Sequence, residues 1–140
     1  NKKLTEETLS KKFLEFGFFQ EGIKNRTNTI NSKFLANIFS RKNTLLKGTR
    51  GCNFSFWRDD FIAVNGYNEE MSGWGKEDTE LSARLINNNL KKRKLKLNAI
   101  TFHLNHKSSS REKLDNNNGI LQKVVEEKTI KCENGIEKYL

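Results

Sequence analysis

The sequence predicts an α/β domain in which a few short strands pack with helices. Two periodicities and one dense stretch predict it. Apolar residues recur at three- and four-residue spacing in residues 4–19, 32–39 and 77–88, the mark of a half-buried helix. They alternate with polar ones in residues 52–56 and 94–102, the mark of a strand with one buried face. Between these lies the stretch 51–80, which gathers both tryptophans, several glycines and paired acidic residues. At 140 residues the chain is one domain or part of one. Ten Phe and two Trp can build a modest core.

The elements follow in order. In residues 4–19, Leu9, Phe13 and Phe16 line one face of a helix, and Gly17 ends it. Residues 20–31 are polar and read as loop. Ser32 caps a second helix over 32–39, with Phe34, Leu35, Ile38 and Phe39 on one side. A basic turn at 47–50 leads into a short strand in which Cys52, Phe54 and Phe56 face inward. Residues 59–64 form a short helix stopped by Asn65-Gly66. Asp59 and Asp60 adjoin at its start; neighbours on a helix do not face one another, so they read as capping rather than as a metal pair.

A longer helix spans 77–88 and is halted by Asn87-Asn88-Asn89. Leu81, Leu85 and Ile86 point inward, and Arg84 stands one turn from Glu80. Lys91-Lys92-Arg93-Lys94 reads as a solvated loop, with contact to an anionic membrane or glycan as its functional counterpart. The strand that follows ends at His103 and His106, the only histidines. Two imidazoles three residues apart can converge on one cation, or can simply be solvated. Residues 107–119 are polar and flexible, a terminal helix covers 120–128, and 132–140 is a tail without an evident role.

The net charge of +9 is spread over both halves and forms no basic tail. It suits nucleic acid, an anionic membrane face or an anionic substrate. Cys52 and Cys132 lie outside any compact metal spacing, and two thiols in a reducing cytosol is the expectation. No apolar run reaches the length of a membrane span. A cytoplasmic location follows, with peripheral contact at the inner membrane face left open.

The centre of the dense stretch is Gly73-Trp74-Gly75-Lys76-Glu77-Asp78. Glycines open backbone conformations closed to other residues, so Trp74 can be carried on a loop and presented. Glu77 and Asp78 fall in the first turn of the next helix, where the free N–H groups favour negative charge. An indole beside two carboxylates suits a sugar: the ring covers C–H surface and the carboxylates accept from hydroxyls. Ordinary capping beside a core tryptophan is the competing reading.

The run GCNFSFWRDDFIAVNGYNEEMSGWGKEDTELSARL resembles the acceptor-side segment of GT-A glycosyltransferases. It is most similar to bacterial family 2 enzymes and to the C-terminal part of the β-1,4-galactosyltransferase family. A GWG-x-ED motif there follows an Asn-x-Ser-x-aromatic segment and an Asn-Gly-aromatic turn. The likeness runs from about Thr49 to His106. It implies that this chain is the C-terminal, acceptor-side part of a GT-A fold, with residues 1–48 as a helical connector, 49–106 as the acceptor and metal segment, and 107–140 as a flexible loop and terminal helix.

The resemblance also implies roles. Asp78 is the general base of an inverting transfer from a nucleotide-sugar, a UDP-sugar, to a glycan hydroxyl. Trp74, Gly75 and Glu77 bind the acceptor. His106, and with less support His103, would hold a divalent ion, Mn²⁺ or Mg²⁺. Residues 107–119 would form a mobile lid over the donor, or a plain surface loop. Lys76 stands where the galactosyltransferases have Gly, so acceptor identity does not carry over. The four Asp (Asp59, Asp60, Asp78, Asp115) include no Asp-x-Asp motif. The expectation is therefore that a nucleotide-binding N-terminal half is missing and that the piece alone is inactive.

Two other classes compete. A basic binding module would use aromatics over a cationic groove to hold nucleic acid, but the aromatics fall at core spacings and nucleic acid is not expected as a partner. A zinc-stabilised fold would need Cys52, His103, His106 and Cys132, a separation unlike compact zinc motifs.

Overall fold

In a computed structural model, the described residues are 30–101 and 109–140. The expected helix at 4–19 and both histidines lie outside them. The described residues are mixed α/β: α1 (Lys33–Phe39), β1 (Arg41–Asn43), α2 (Arg58–Ala63), α3 (Glu77–Asn87), β2 (Lys92–Lys94) and α4 (Leu114–Glu126). Single 3-10 turns stand at Gly51–Asn53 and Ile136–Tyr139. β1 and β2 pair as a two-stranded sheet. The described residues divide into two compact units, 30–41 with 93–101, and 42–92 with 109–140.

In the first unit α1 begins as its sequence dictates. The Ser32 hydroxyl accepts from the Leu35 N–H at 3.3 Å, satisfying one of the donors that a helix start leaves free. The inward face differs from the expected one: Ala36 is the buried residue, while Phe34, Ile38 and Phe39 are exposed. The Ser32 N–H donates to the Leu97 carbonyl at 2.9 Å. The strand expected over 94–102 is corrected: β2 covers Lys92–Lys94, in what read as a solvated basic loop. Beyond it Leu97 (φ 56°) and Ala99 (φ 52°) adopt left-handed backbone, which breaks the extended alternation.

The second unit is built on α3. Leu81 and Leu85 form its core with Val64, and Phe54, Phe61 and Leu90 pack around them. Directly beside this core lie a carboxylate and a guanidinium with no solvent exposure, Glu80 and Arg84. Arg84 Nε and Nη2 donate to Glu80 Oε1 and Oε2 at 2.8 and 2.7 Å, a two-pronged pair. The same guanidinium donates to the Val64 carbonyl and, at 2.7 Å, to the Gly66 carbonyl. Helix α2 ends in the turn its Asn-Gly pair predicts, with φ 64° at Asn65 and 69° at Gly66. Arg84 thus caps the carbonyls that this turn turns inward.

Two further expectations are corrected. No strand forms over 52–56: Gly51–Asn53 make a 3-10 turn and the chain then runs extended, with Cys52 exposed and Phe54 half-buried. The two-residue period survives in the rings, since Phe54 meets Phe56 at 5.3 Å, Phe56 stacks on Phe61 at 4.8 Å, and Phe61 meets Tyr67 at 5.8 Å. Helix α4 starts at Leu114, inside the segment expected to be flexible, and runs through Gly119. It packs on α3. Asn87 Nδ2 ties the helix pair together by donating to the Val124 and Thr129 carbonyls at 3.2 and 2.9 Å.

The 132–140 tail also has a place. Asn65 Nδ2 donates to the Cys132 carbonyl at 2.8 Å, and Asn65 Oδ1 accepts from the Glu137 N–H at 2.8 Å. The Ile136 N–H donates to the Asn65 carbonyl at 3.0 Å. A β-carbon on Gly135 would fall 1.9 Å from that carbonyl oxygen, so only glycine permits the approach. Lys138 adds an exposed ion pair to Glu69 at 2.6 Å.

Candidate functional site

The Trp74 loop is an ordered platform. Three successive kinds of constraint make it so. Its backbone takes positive φ at Gly73 (73°), Gly75 (114°) and Lys76 (75°), three within four residues. The Glu77 carboxylate folds back to accept from the Gly75 N–H at 2.9 Å. From beneath, the buried Asn117 of α4 donates to the Ser72 carbonyl at 3.2 Å and the Gly75 carbonyl at 2.8 Å, bridging the two sides of the loop. Gly75 is itself buried against Leu114, whose Cδ1 lies 2.9 Å from where a β-carbon would stand. The indole, by contrast, is 45% exposed. The loop is fixed below and open above.

Asp78 follows in the first turn of α3, as expected. Its Oδ2 accepts from the Gly51 N–H at 2.7 Å and its Oδ1 from the Tyr67 hydroxyl at 3.0 Å. Each carboxylate oxygen has two lone-pair directions, so each keeps one for a further donor. Gly51 is part of the cradle by virtue of having no side chain: a β-carbon there would lie 2.3 Å from Asp78 Oδ2. Tyr67 is pushed up to about 12, first by its partial burial, then by the hydrogen bond it donates to Asp78 and by the charges of Asp78 and Glu77. It is a proton donor to the carboxylate at any physiological pH.

Of the residues singled out in the sequence, Trp74, Gly75, Glu77 and Asp78 lie in the second unit within one five-residue stretch, Trp74 exposed, Gly75 buried, and Glu77 and Asp78 half-buried. His103 and His106 lie outside the described residues. Among the described residues no three His, Cys, Asp or Glu side chains gather closely enough to hold a metal ion. Both cysteines are free thiols, Cys52 exposed and Cys132 buried, and burial is the main cause that raises Cys132 above the usual thiol range. Among the described residues no helix is long and apolar enough to cross a membrane.

Gly51, Tyr67 and Asn117 were not singled out for the site. Gly51 and Tyr67 belong to the run that carried the resemblance, so their positions were marked though not their contacts. Asn117 sits in an Asn-Asn-Asn run that reads as loop, and nothing in its sequence surroundings signals a partner 42 residues away.

Residues 37–107, just over half of the chain, match the family described as the N-terminal domain of galactosyltransferase. No curated protein and no solved structure matches the chain.

Proposed function

Since the chain belongs to the galactosyltransferase family, a family of glycosyltransferases, we propose that it is the acceptor-side part of an inverting GT-A enzyme of the bacterial family 2 type. The family is named for an N-terminal domain; the acceptor-side assignment is what the resemblance of the segment from Thr49 to His106 implies. Glycosyltransferases of this family use a nucleotide-sugar donor and a glycan acceptor. The observation that carries the proposal is the exposed indole on a braced loop, four residues before a carboxylate whose two oxygens each retain an accepting direction.

In the proposed reaction the acceptor sugar lies against Trp74 and donates hydroxyl hydrogen bonds to Glu77 and Asp78. Asp78 takes the proton of the attacking hydroxyl. A new C–O bond forms at the anomeric carbon of the donor sugar as the bond to the diphosphate oxygen breaks, and the nucleoside diphosphate leaves with the electron pair. Attack opposite the leaving group inverts the anomeric centre. The Gly51 N–H and Tyr67 hydroxyl hold the carboxylate in one orientation, which is the positional control that proximity catalysis needs. His106, with His103, is the proposed ligand set for Mn²⁺ or Mg²⁺, whose charge would offset that of the departing diphosphate.

The test is Asp78→Asn in the enzyme that carries this chain, assayed with a panel of nucleotide sugars and oligosaccharide acceptors. Transfer falls by about 10²–10⁴-fold, the worth of a positioned base, while donor binding stays within about twofold. Turnover unchanged by Asp78→Asn would remove Asp78 from the chemistry.

A further inference from the structure

We propose that the acceptor is an anionic glycan and that Arg111 recognises its charge. The inference builds on the reading of the Trp74 loop as the acceptor platform. The Arg111 guanidinium lies over the Trp74 ring, 5.1 Å from its centroid. Lys113 runs beside the same loop, its Cγ 3.2 Å from the point where a Gly73 β-carbon would stand. The backbone that carries these cations is anchored: Asn117, on the first turns of α4, is hydrogen-bonded to both sides of the loop, and the Arg111 and Lys113 carbonyls accept from the Leu114 and Asn117 N–H groups, each at 3.0 Å. Among the described residues the ion pairs are Glu80–Arg84, Lys131–Glu137 and Glu69–Lys138, so neither Arg111 nor Lys113 has a carboxylate partner. Glu112 and Asp115 alternate with them in sequence but pair with neither.

A sugar that stacks on Trp74 meets this guanidinium at the ring. Lifting an exposed cation off an aromatic face costs roughly two- to fivefold in affinity. A neutral sugar offers Arg111 little in exchange. An anionic group on the sugar, carboxylate or phosphate, offers a two-pronged charge-assisted hydrogen bond, worth about tenfold or more. The second effect is the larger, so an anion is favoured at this corner. Glu77 and Asp78 oppose it, and the donors they already accept from, Gly75 N–H for the first and Gly51 N–H and Tyr67 hydroxyl for the second, offset part of their charge. The net charge of +9 acts in the same sense as Arg111.

The experiment uses the full chain with Trp57→Phe, so that Trp74 is the sole indole and its fluorescence reports the platform. Four probes are titrated at low salt: a tetrasaccharide of alternating glucuronic acid and N-acetylglucosamine, the same tetrasaccharide with its carboxyls reduced to alcohols, a phosphorylated disaccharide, and uridine diphosphate. The expected result is about tenfold tighter binding of a charged glycan than of the reduced one, lost on Arg111→Gln, while the reduced probe binds about two- to fivefold tighter because no cation has to be lifted off the ring. The tighter of the carboxylate and phosphate probes identifies the anion. Equal affinity for charged and reduced glycans overturns the inference and leaves the platform standing. A preference that survives Arg111→Gln overturns the role of Arg111. Dependence on Arg111 for uridine diphosphate alone makes it a donor-side residue, against the inference. No response of Trp74 to any glycan overturns the platform and the inference together.

Discussion

Gly51 and Asp78 are separated by 27 residues in sequence, yet the backbone N–H of the first meets the carboxylate of the second at 2.7 Å, with no room for a methyl group between them. Gly51→Ala therefore forces Asp78 aside. The carboxylate is the mobile end of a side chain and can yield, so stability should change by no more than about 1 kcal/mol. Transfer should fall by about 10²-fold, the usual consequence of moving a catalytic group by about 1 Å. The comparison of urea midpoint with turnover checks it: a variant that keeps both would show that the position of Asp78 is not critical.

Asn117 carries the load of the Trp74 loop from below. Asn117→Leu keeps the volume and removes both donors, leaving the Ser72 and Gly75 carbonyls without their partner at a cost of about 1–3 kcal/mol. The loop should loosen with it. Trp74 fluorescence anisotropy should fall in the variant and be restored by Asn117→Gln only if the longer side chain reaches both carbonyls.

Glu80 and Arg84 are both wholly buried. Such a pair adds little net stability over an apolar replacement, but breaking it leaves one charge stranded. Arg84→Leu should destabilise the chain by about 3–5 kcal/mol, since it also strips the Val64 and Gly66 carbonyls of their donor. Adding Glu80→Leu should recover part of that loss. A double variant no more stable than Arg84→Leu alone would mean the stranded carboxylate is not the main cost.

Tyr67 provides a test by pH. Its folded-state value is raised from 10.0 to about 12, so the folded chain holds this proton more tightly than the unfolded one. The stabilisation is complete below about pH 10 and is lost as pH rises through about 12. Phenolate absorbance should show one late titration step that Tyr67→Phe removes. In Asp78→Asn the step should come earlier without reaching its unfolded position, because burial, the largest cause, remains. A step at the unfolded position in the folded wild-type chain would mean that the hydroxyl is neither shielded by burial nor donating to Asp78.

Local signals carried much of this architecture. The Ser32 cap, the Asn65-Gly66 stop, the acidic start of α3 and the presentation of Trp74 between glycines are all decided by groups within a few residues of one another. The family was legible for the same reason, since its marks lie in one run. What was missed depends on distant partners. Helix α4 takes in a run of asparagines near its start, poor helix formers in isolation, and one of them, Asn117, is hydrogen-bonded to the Trp74 loop. The strand expected past Leu95 fails because Leu97 and Ala99 take left-handed backbone that no alternation of residue types announces. The pairing of Glu80 with Arg84 could be read from their spacing; that both would be stripped of water could not.

The contacts of Asn65 with Cys132 and Glu137 span 67 and 72 positions. On the ribosome, the turn after α2 is made long before the segment that grips it has been synthesised. The carbonyls of that turn can be held by Arg84 as soon as α3 follows, whereas the side chain of Asn65 must wait for residues 132–137. Completion of this unit thus waits for residues 132–137 to emerge, and a nascent chain stalled before them would expose a half-made turn to the cell's quality control.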